Sequence, residues 1–259
     1  MSDRDDWETH WERFASTASI NPAQEMRFAL VTKMLAKTGI ADDCRILDIG
    51  SGQGDLLLKL NSWMPTATLA GVELSRRGAE ISRKKVPEAR IFVADLFNPP
   101  TEMEALVNWA THATCSDVVE HVDSPVQFLR AAGNYLSHGA VLVITVPGGP
   151  MSAFDRGIGH RRHFTRDSIT SVLTDAGFSV DKVYLSGFPF FNLYRLLVIA
   201  RGEKLALDFA TDERGLMAKT AGLAMRVFRY LLRFCIDDSP WGWQVVALAR
   251  KQKPQGVSQ

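Results

Sequence analysis

The sequence predicts an α/β fold built on a mostly parallel sheet. Three observations predict it. Apolar runs that each end in an acidic residue recur every 22 to 25 residues: RILD at Asp48, LAGVE at Glu73, IFVAD at Asp95 and ATCSD at Asp117. That interval leaves room for a helix, as a parallel crossover requires. The runs are continuous rather than alternating, the pattern of strands buried on both faces. Finally, the first run opens straight into a glycine-rich turn, ILDIGSGQGD (Ile46–Asp55), with a helix-like segment behind it.

Composition bounds the remaining choices. The chain has 259 residues, 46% hydrophobic and 23% charged, which excludes disorder for its bulk and gives one large domain or two small ones. Thirty Lys and Arg balance 29 Asp and Glu, for a net charge of +1. A dedicated nucleic-acid binder carries a basic excess, so no nucleic-acid partner is expected. Cys44, Cys115 and Cys235 are scattered and form no CxxC pair, which argues against a zinc knuckle or a disulfide framework. The N-terminal MSDRDDWETHWERF is too acidic and polar for a signal peptide. Phe188–Ala200 and Ala221–Ile236 contain arginines and fall short of the ~18 clean apolar residues of a spanning helix. A cytoplasmic, reducing compartment is the expectation.

The elements follow in order. Trp7, Trp11 and Phe14 fall on one face of an amphipathic helix, and Ala23–Leu35 reads as a second. These form an N-terminal helical cap over residues 1–40. Residues 44–187 form the cofactor-binding core. Between its acid-terminated strands lie helix-like segments at Asp55–Met64, Arg76–Lys85, Thr101–Ala110 and Ser124–Leu136. A fifth strand, AVLVITVP, follows Gly139, and a polar loop spans Gly148–His163. Thr165 is placed to N-cap a helix that Gly177 ends. The strand SVDKVYLSGF comes next. A helical insertion over residues 188–240, too long for a hairpin loop, precedes the last strand within 241–251. The polar tail KQKPQGVSQ is expected to fray.

The glycine loop invites a ligand to approach the main chain at Gly50, Gly52 and Gly54. A dinucleotide site asks for GxGxxG with pyrophosphate on a helix N-terminus. Here the spacing is GxGxG, flanked by Asp48 and Asp55. Two carboxylates repel a pyrophosphate and suit a cationic ligand. S-adenosylmethionine offers a sulfonium and an ammonium and no phosphate. Glu73 can accept from both ribose hydroxyls. Asp95 can accept from the adenine amino group, or it can cap its own turn.

Ile46–Asp55, Val72–Leu74, Val93–Leu96, Ser116–Val122 and Gly139–Pro147 together resemble class I S-adenosylmethionine-dependent methyltransferases, over roughly residues 20–185. The resemblance implies a Rossmann-like seven-stranded sheet, six strands parallel and the seventh antiparallel, with flanking helices. It implies Asp48, Gly50, Gly52 and Asp55 along the methionine part of the cofactor, with Ser51 and Gly54 in the same loop. It implies Glu73 at the ribose, Leu74 beside the adenine, Asp95 and Leu96 at the adenine edge, and Ser116 closing the floor. The nearest subgroup resembles the O-methyltransferases of ubiquinone biosynthesis, through Asn21–Pro22 after an N-terminal Trp, the Asp–Val–Val–Glu–His run and GHRRHFT. In that subgroup an early arginine meets the cofactor carboxylate, a role for which Arg27 is the candidate.

Methyl transfer to oxygen needs alignment and a route for a proton. Histidine suits that task near neutral pH. His121 follows the fourth strand and His160 the fifth, both at carboxyl ends, where ligands sit in open α/β sheets. His160 is the leading base and His121 the second. Asp117, Glu120, His121 and His160 also resemble an Mg²⁺ set of some methyltransferases; the reading adopted is without metal. The insertion combines GFPFFNLY with a basic amphipathic helix in which Lys219, Arg226 and Arg233 repeat at heptad spacing. It reads as a lid over a small-molecule, glycan or lipid acceptor, with peripheral membrane contact through 215–236. The alternatives are a catalytically silent partner subunit of the same fold and an NAD-dependent oxidoreductase.

Overall fold

The computed structural model describes residues 7–8, 21–201 and 216–253. Strands β1 (Arg45–Ile49), β2 (Thr68–Glu73), β3 (Arg90–Val93), β4 (Ala110–Ser116), β5 (Leu136–Pro147), β6 (Phe178–Ser186) and β7 (Gln244–Lys251) form one sheet in the order β3-β2-β1-β4-β5-β7-β6. The β1–β2, β2–β3, β1–β4 and β4–β5 pairs are parallel. Strand β7 is antiparallel to both β5 and β6. Six parallel strands and an antiparallel seventh are therefore what the chain forms. The chain winds outward from β1 to β3 and then crosses back to β4. This reversal opens a crevice beyond the carboxyl ends of β1 and β4.

Helices α1 (Pro22–Ala36), α2 (Asp55–Trp63), α3 (Arg76–Lys85), α4 (Pro125–Gly133), α5 (Ala153–Gly157), α6 (Arg166–Asp175), α7 (Phe190–Arg201) and α8 (Leu216–Leu231) accompany the sheet. Side chains alternate across a strand, so both faces of β5 must be apolar. Leu142, Ile144 and Val146 pack with Leu129 of α4 and Ile169 and Leu173 of α6. Val141 and Val143 point the other way, into a core shared with Met34 of α1, Leu57 of α2, Ala79 of α3 and Tyr194 of α7. Helix starts follow their caps. The Asn21 side chain accepts from Ala23 N at the start of α1, where Pro22 stands in the first turn. Thr165 and Ser168 form a reciprocal capping box at α6.

Four local expectations are corrected. The helix expected over Thr101–Ala110 is a 3-10 stretch, Thr101–Leu106, and β4 already begins at Ala110. Pro99 and Pro100 restrict its start, and its buried residues, Met103 and Leu106, are three apart, the repeat of a 3-10 turn. The helix expected to reach Leu136 ends at Gly133. Strand β5 starts at Leu136, before Gly139, and absorbs the extra length as a register shift against β4. The loop Gly148–His163 contains α5, where Ser152 and Asp155 cap each other.

Among the described residues the insertion holds α7, α8 and a 3-10 turn, Leu232–Phe234. Phe191, Tyr194 and Val198 of α7 are buried, and α8 rests on α1 through Arg229 Nε and Glu25 Oε2 at 3.1 Å. Trp7 and Glu8 are helical. The rest of the Trp7–Phe14 stripe, His10, the Lys219 side chain and the tail beyond Lys253 lie outside the described residues.

Candidate active site

The turn after β1 is built around left-handed glycines. Gly50 has φ 71°, and its N–H and that of Ser51 both donate to Val72 O, at 2.8 and 3.0 Å. A Cβ on Gly50 would lie 2.4 Å from Cγ2 of Val118, so the loops after β1 and β4 touch across the crevice. Gly54, at φ 82°, caps α2, and a Cβ there would lie 2.4 Å from Oγ of Ser82.

Glu73 is buried at the end of β2. Its Oε2 accepts from Gly52 N at 2.8 Å and its Oε1 from Ser75 N at 3.0 Å. The carboxylate thus ties the glycine loop to the start of α3. Leu74 follows directly, and Leu96 is buried after β3. Ser116 shares a hydrogen bond with Thr145, Oγ to Oγ1 at 2.8 Å. Asp95 Oδ1 accepts from Phe97 N at 3.0 Å, closing its own turn.

The electrostatics differ from a count of carboxylates. Burial pushes the Asp48 carboxyl up to about 7, reinforced by the charge of Glu73 and opposed by the hydrogen bond from Thr114 Oγ1, which is 2.7 Å long. Asp55 is engaged by Lys85 at Oδ1 and by Gln53 Nε2 at Oδ2 at 2.8 Å. The expected pair of unpaired negative charges beside the loop is therefore absent in this form. The reason is that Asp48 is walled in by the sheet and Asp55 meets the cationic last turn of α3.

The raised Asp48 has a consequence for stability. The folded chain holds a proton there that the unfolded chain releases near 3.8. The stabilisation is full below that value and is lost as pH rises through about 7. The displacement is worth about 4 kcal/mol. Urea unfolding is expected to show a lower midpoint at pH 8 than at pH 5, with Asp48→Asn flattening the difference. Identical pH dependence in both proteins would count against the assignment.

The imidazoles of His121 and His160 meet, with ring centroids 4.8 Å apart. His163 joins them: its Nε2 lies 3.3 Å from His160 Nδ1, and its Nδ1 lies 3.2 Å from the carbonyl of Gly149. A carbonyl only accepts, so His163 carries its proton on Nδ1 and presents a lone pair at Nε2. His160 must then donate from Nδ1, which leaves the Nε2 lone pair. That Nε2 is 4.0 Å from Oε1 of Glu120. Glu120 is fully buried, and neither of its oxygens accepts a hydrogen bond from the described residues. Burial raises its carboxyl well above the usual range, and the charge of Asp117 adds to this. Burial pulls His160 down to about 3, assisted by His121. Both groups are thus held neutral.

Asp155 escaped the sequence reading. Its Oδ1 lies 4.0 Å from His160 Nδ1 and 3.9 Å from His163 Nε2, and it accepts from Arg195 Nη2 of α7 at 2.7 Å. Burial raises its carboxyl, but the bonds from Ser152 and Arg195 outweigh this and hold it below the ordinary value. The S-x-x-D spacing was the available signal for its cap. Nothing local announced Arg195, 40 residues away. Glu8 was missed as well: its carboxylate accepts from Arg76 N and Arg77 N at 2.7 and 3.0 Å, while Trp7 stands edge-on to His121 at 4.9 Å. Arg27 pairs with Asp117, whose φ of 53° turns the chain out of β4. Asp117 does not join the compact group of Glu120, His121 and His160, whose ligand atoms lie within 4.8 Å of one another.

The strand order, the glycine turn at the crevice and the acid ending β2 define an α/β protein of the methyltransferase architecture. The family description of a methyltransferase domain matches residues 21–183, and the chain belongs to that family. It is similar to the trans-aconitate 2-methyltransferase of Variovorax paradoxus (strain S110), 24% identical over 148 residues. The match takes in 55% of this chain and 50% of that protein, so the chain spans about half the length of its curated relative. The [4+2]-cyclase SpnF has a TM-score of 0.61 at 17% identity, over 88% of this chain and 83% of its own. Phosphoethanolamine N-methyltransferase 2 of Haemonchus contortus, in complex with S-adenosyl-L-methionine, has a TM-score of 0.58 at 18% identity, over 87% and 52%. At such identities the likeness is one of fold, and a fold shared by a cyclase and a methyltransferase does not choose the reaction.

Proposed function

We propose that the chain transfers the methyl group of S-adenosylmethionine to an acidic oxygen, a carboxylic acid or a phenol, on a small molecule or a glycan or lipid precursor. The single observation that carries this reading is the hydrogen-bond chain Gly149–His163–His160, which leaves the Nε2 lone pair of a buried imidazole next to Glu120. Bound S-adenosylmethionine supplies an electrophilic methyl. Glu73 takes the ribose, and the Arg27–Asp117 pair offers a cation to the amino-acid carboxylate and an anion to the ammonium. From a phenol, His160 receives the acceptor's proton at Nε2 as the carbon–sulfur bond breaks and the carbon–oxygen bond forms; a carboxylic acid arrives already ionised and attacks without a base. The nearby Asp155 carboxylate stabilises the resulting imidazolium. A base held at about 3 is weak, so it suits an oxygen that is already acidic. The insertion at 188–240 covers the acceptor side, and its α7 supplies Arg195 to Asp155.

The orphaned carboxylate of Glu120 favours a second reading of the same cluster. Glu120, His121 and His160 have the donor set of a divalent cation, which would acidify an acceptor hydroxyl. Two imidazoles and one carboxylate suit a borderline transition ion better than Mg²⁺, which prefers oxygen. Activity unchanged after exhaustive chelation would rule the metal out as essential.

Calorimetric titration of S-adenosylhomocysteine into the purified chain tests the cofactor assignment, with saturable one-to-one binding expected. A folded chain that fails to bind would overturn it. Turnover of carboxylic acids and phenols, and none of amines, is the expected acceptor profile.

A further inference from the structure

Helix α8 is apolar on two opposite faces. Met225, Phe228 and Leu232 pack into the core shared with α1 and α7, and the Phe228 ring lies 5.3 Å from that of Tyr194. Those contacts account for an ordinary surface helix, which has one apolar stripe. The second stripe has no such use. Leu223, Val227, Tyr230 and Phe234 are 62%, 47%, 60% and 57% exposed. Their spacing of i, i+4, i+7 and i+11 sets them in one line that runs from α8 into the 3-10 turn Leu232–Phe234. Leu193, Leu196 and Leu197 of α7, which packs against α8, are each about half exposed as well.

The charge beside the stripe selects the occupant. At 100° per residue, Arg226, Arg229 and Arg233 follow one edge of α8 between its two apolar faces. Arg226 and Arg233 are exposed; Glu25 of α1 lies between Arg229 and Arg233, its Oε1 3.9 Å from Arg233 Nη2, which leaves Arg226 and the outward part of Arg233 to face an anionic surface. Residues 216–236 contain four basic side chains and no acidic one, and α7 contains none either. A second copy of the chain is a poorer partner, because antiparallel two-fold pairing of the same face sets both arginine edges on one side, and the pairing supplies no acid opposite them from α7 or α8. An anionic lipid surface meets both features: its headgroups take the arginines, and its acyl boundary takes the stripe, with Tyr230 at the amphipathic level aromatic residues prefer.

We propose that α8 and the exposed side of α7 form an interfacial docking surface for anionic membranes, lying on the bilayer rather than crossing it. No described helix is long and apolar enough to cross a membrane. The inference stands apart from the assignment of the cofactor site, and S-adenosylhomocysteine titration of the same samples reads that site separately.

Sedimentation with vesicles tests it. The native chain is expected to bind phosphatidylglycerol-containing vesicles, to bind pure phosphatidylcholine vesicles at least roughly tenfold more weakly, and to lose affinity with added salt. The double variant Arg226→Glu/Arg233→Glu is expected to weaken anionic binding roughly tenfold or more while leaving S-adenosylhomocysteine affinity unchanged. Val227→Ser/Tyr230→Ser is expected to weaken binding to the same vesicles through the stripe alone. Absence of native binding to anionic vesicles overturns the proposal, and so does binding indifferent to both variants. Concentration-dependent dimerisation that the serine variant abolishes, without vesicle binding, assigns the face to a second copy instead.

Discussion

Glu73→Ala is expected to remove S-adenosylhomocysteine binding from the measurable range. The carboxylate has two tasks in the structure. It accepts from Gly52 N and Ser75 N, which fixes the glycine loop against the start of α3, and it meets the two ribose hydroxyls in the assignment made above. Hydrogen bonds to a charged group contribute about 1.5–3 kcal/mol each. Losing the ribose pair therefore weakens binding by about 10²- to 10⁴-fold. Glu73→Gln separates the tasks. One side-chain oxygen survives to accept from the backbone, while the amide nitrogen presents a donor where an acceptor is needed. The glutamine variant should keep most of its stability and still bind poorly. Calorimetry beside thermal unfolding distinguishes the outcomes, and native affinity in both variants would refute the ribose assignment.

His160→Ala is expected to lower kcat by about 10²- to 10⁴-fold, the range for loss of a positioned acid–base group. S-adenosylhomocysteine affinity should hardly change, since the glycine loop and Glu73 are built without His160. With saturating cofactor, kcat should stay flat between pH 5.5 and 7, because burial keeps the ring unprotonated there. A limb near pH 6.5 would describe a solvated imidazole and contradict the buried geometry. Asp155→Asn is a positioning change: it should lower kcat with a smaller effect on KM, and the loss of the charge facing Arg195 and of one acceptor oxygen should also destabilise the fold. The acceptor for these measurements is a phenol, which still carries its proton across this pH range.

The sheet was legible because its physics is local. Each core strand is apolar on both faces, and the glycine-rich ILDIGSGQGD can serve little besides a strand, a turn and a helix start. The boundaries of α2, α3 and α6 followed from caps and periodicity in the same way. The 3-10 stretch at Thr101–Leu106 was misread because its buried residues are compatible with either helix type over so short a span. For the site, Asp48 and Asp55 were correctly placed in the chain and misjudged in charge. A sequence shows a carboxylate but not the wall that buries it or the Lys85 that meets it. His121 and His160 could be paired because both follow strands at the same end of the sheet. Asp155 and Arg195 could not, since their meeting depends on how the insertion folds back.

That fold-back also bears on redesign. Insertions before the last strand invite exchange as cassettes that carry one scaffold's acceptor preference to another. Here the segment also has a part in the imidazole cluster. Arg195 leaves it to hold Asp155, and Asp155 stands behind both His160 and His163. A chimera that swaps residues 188–240 removes the cation facing a buried carboxylate and disturbs the proton route together with the pocket. Retargeting this scaffold by transplantation therefore requires that an arginine at the position of Arg195 travel with every graft.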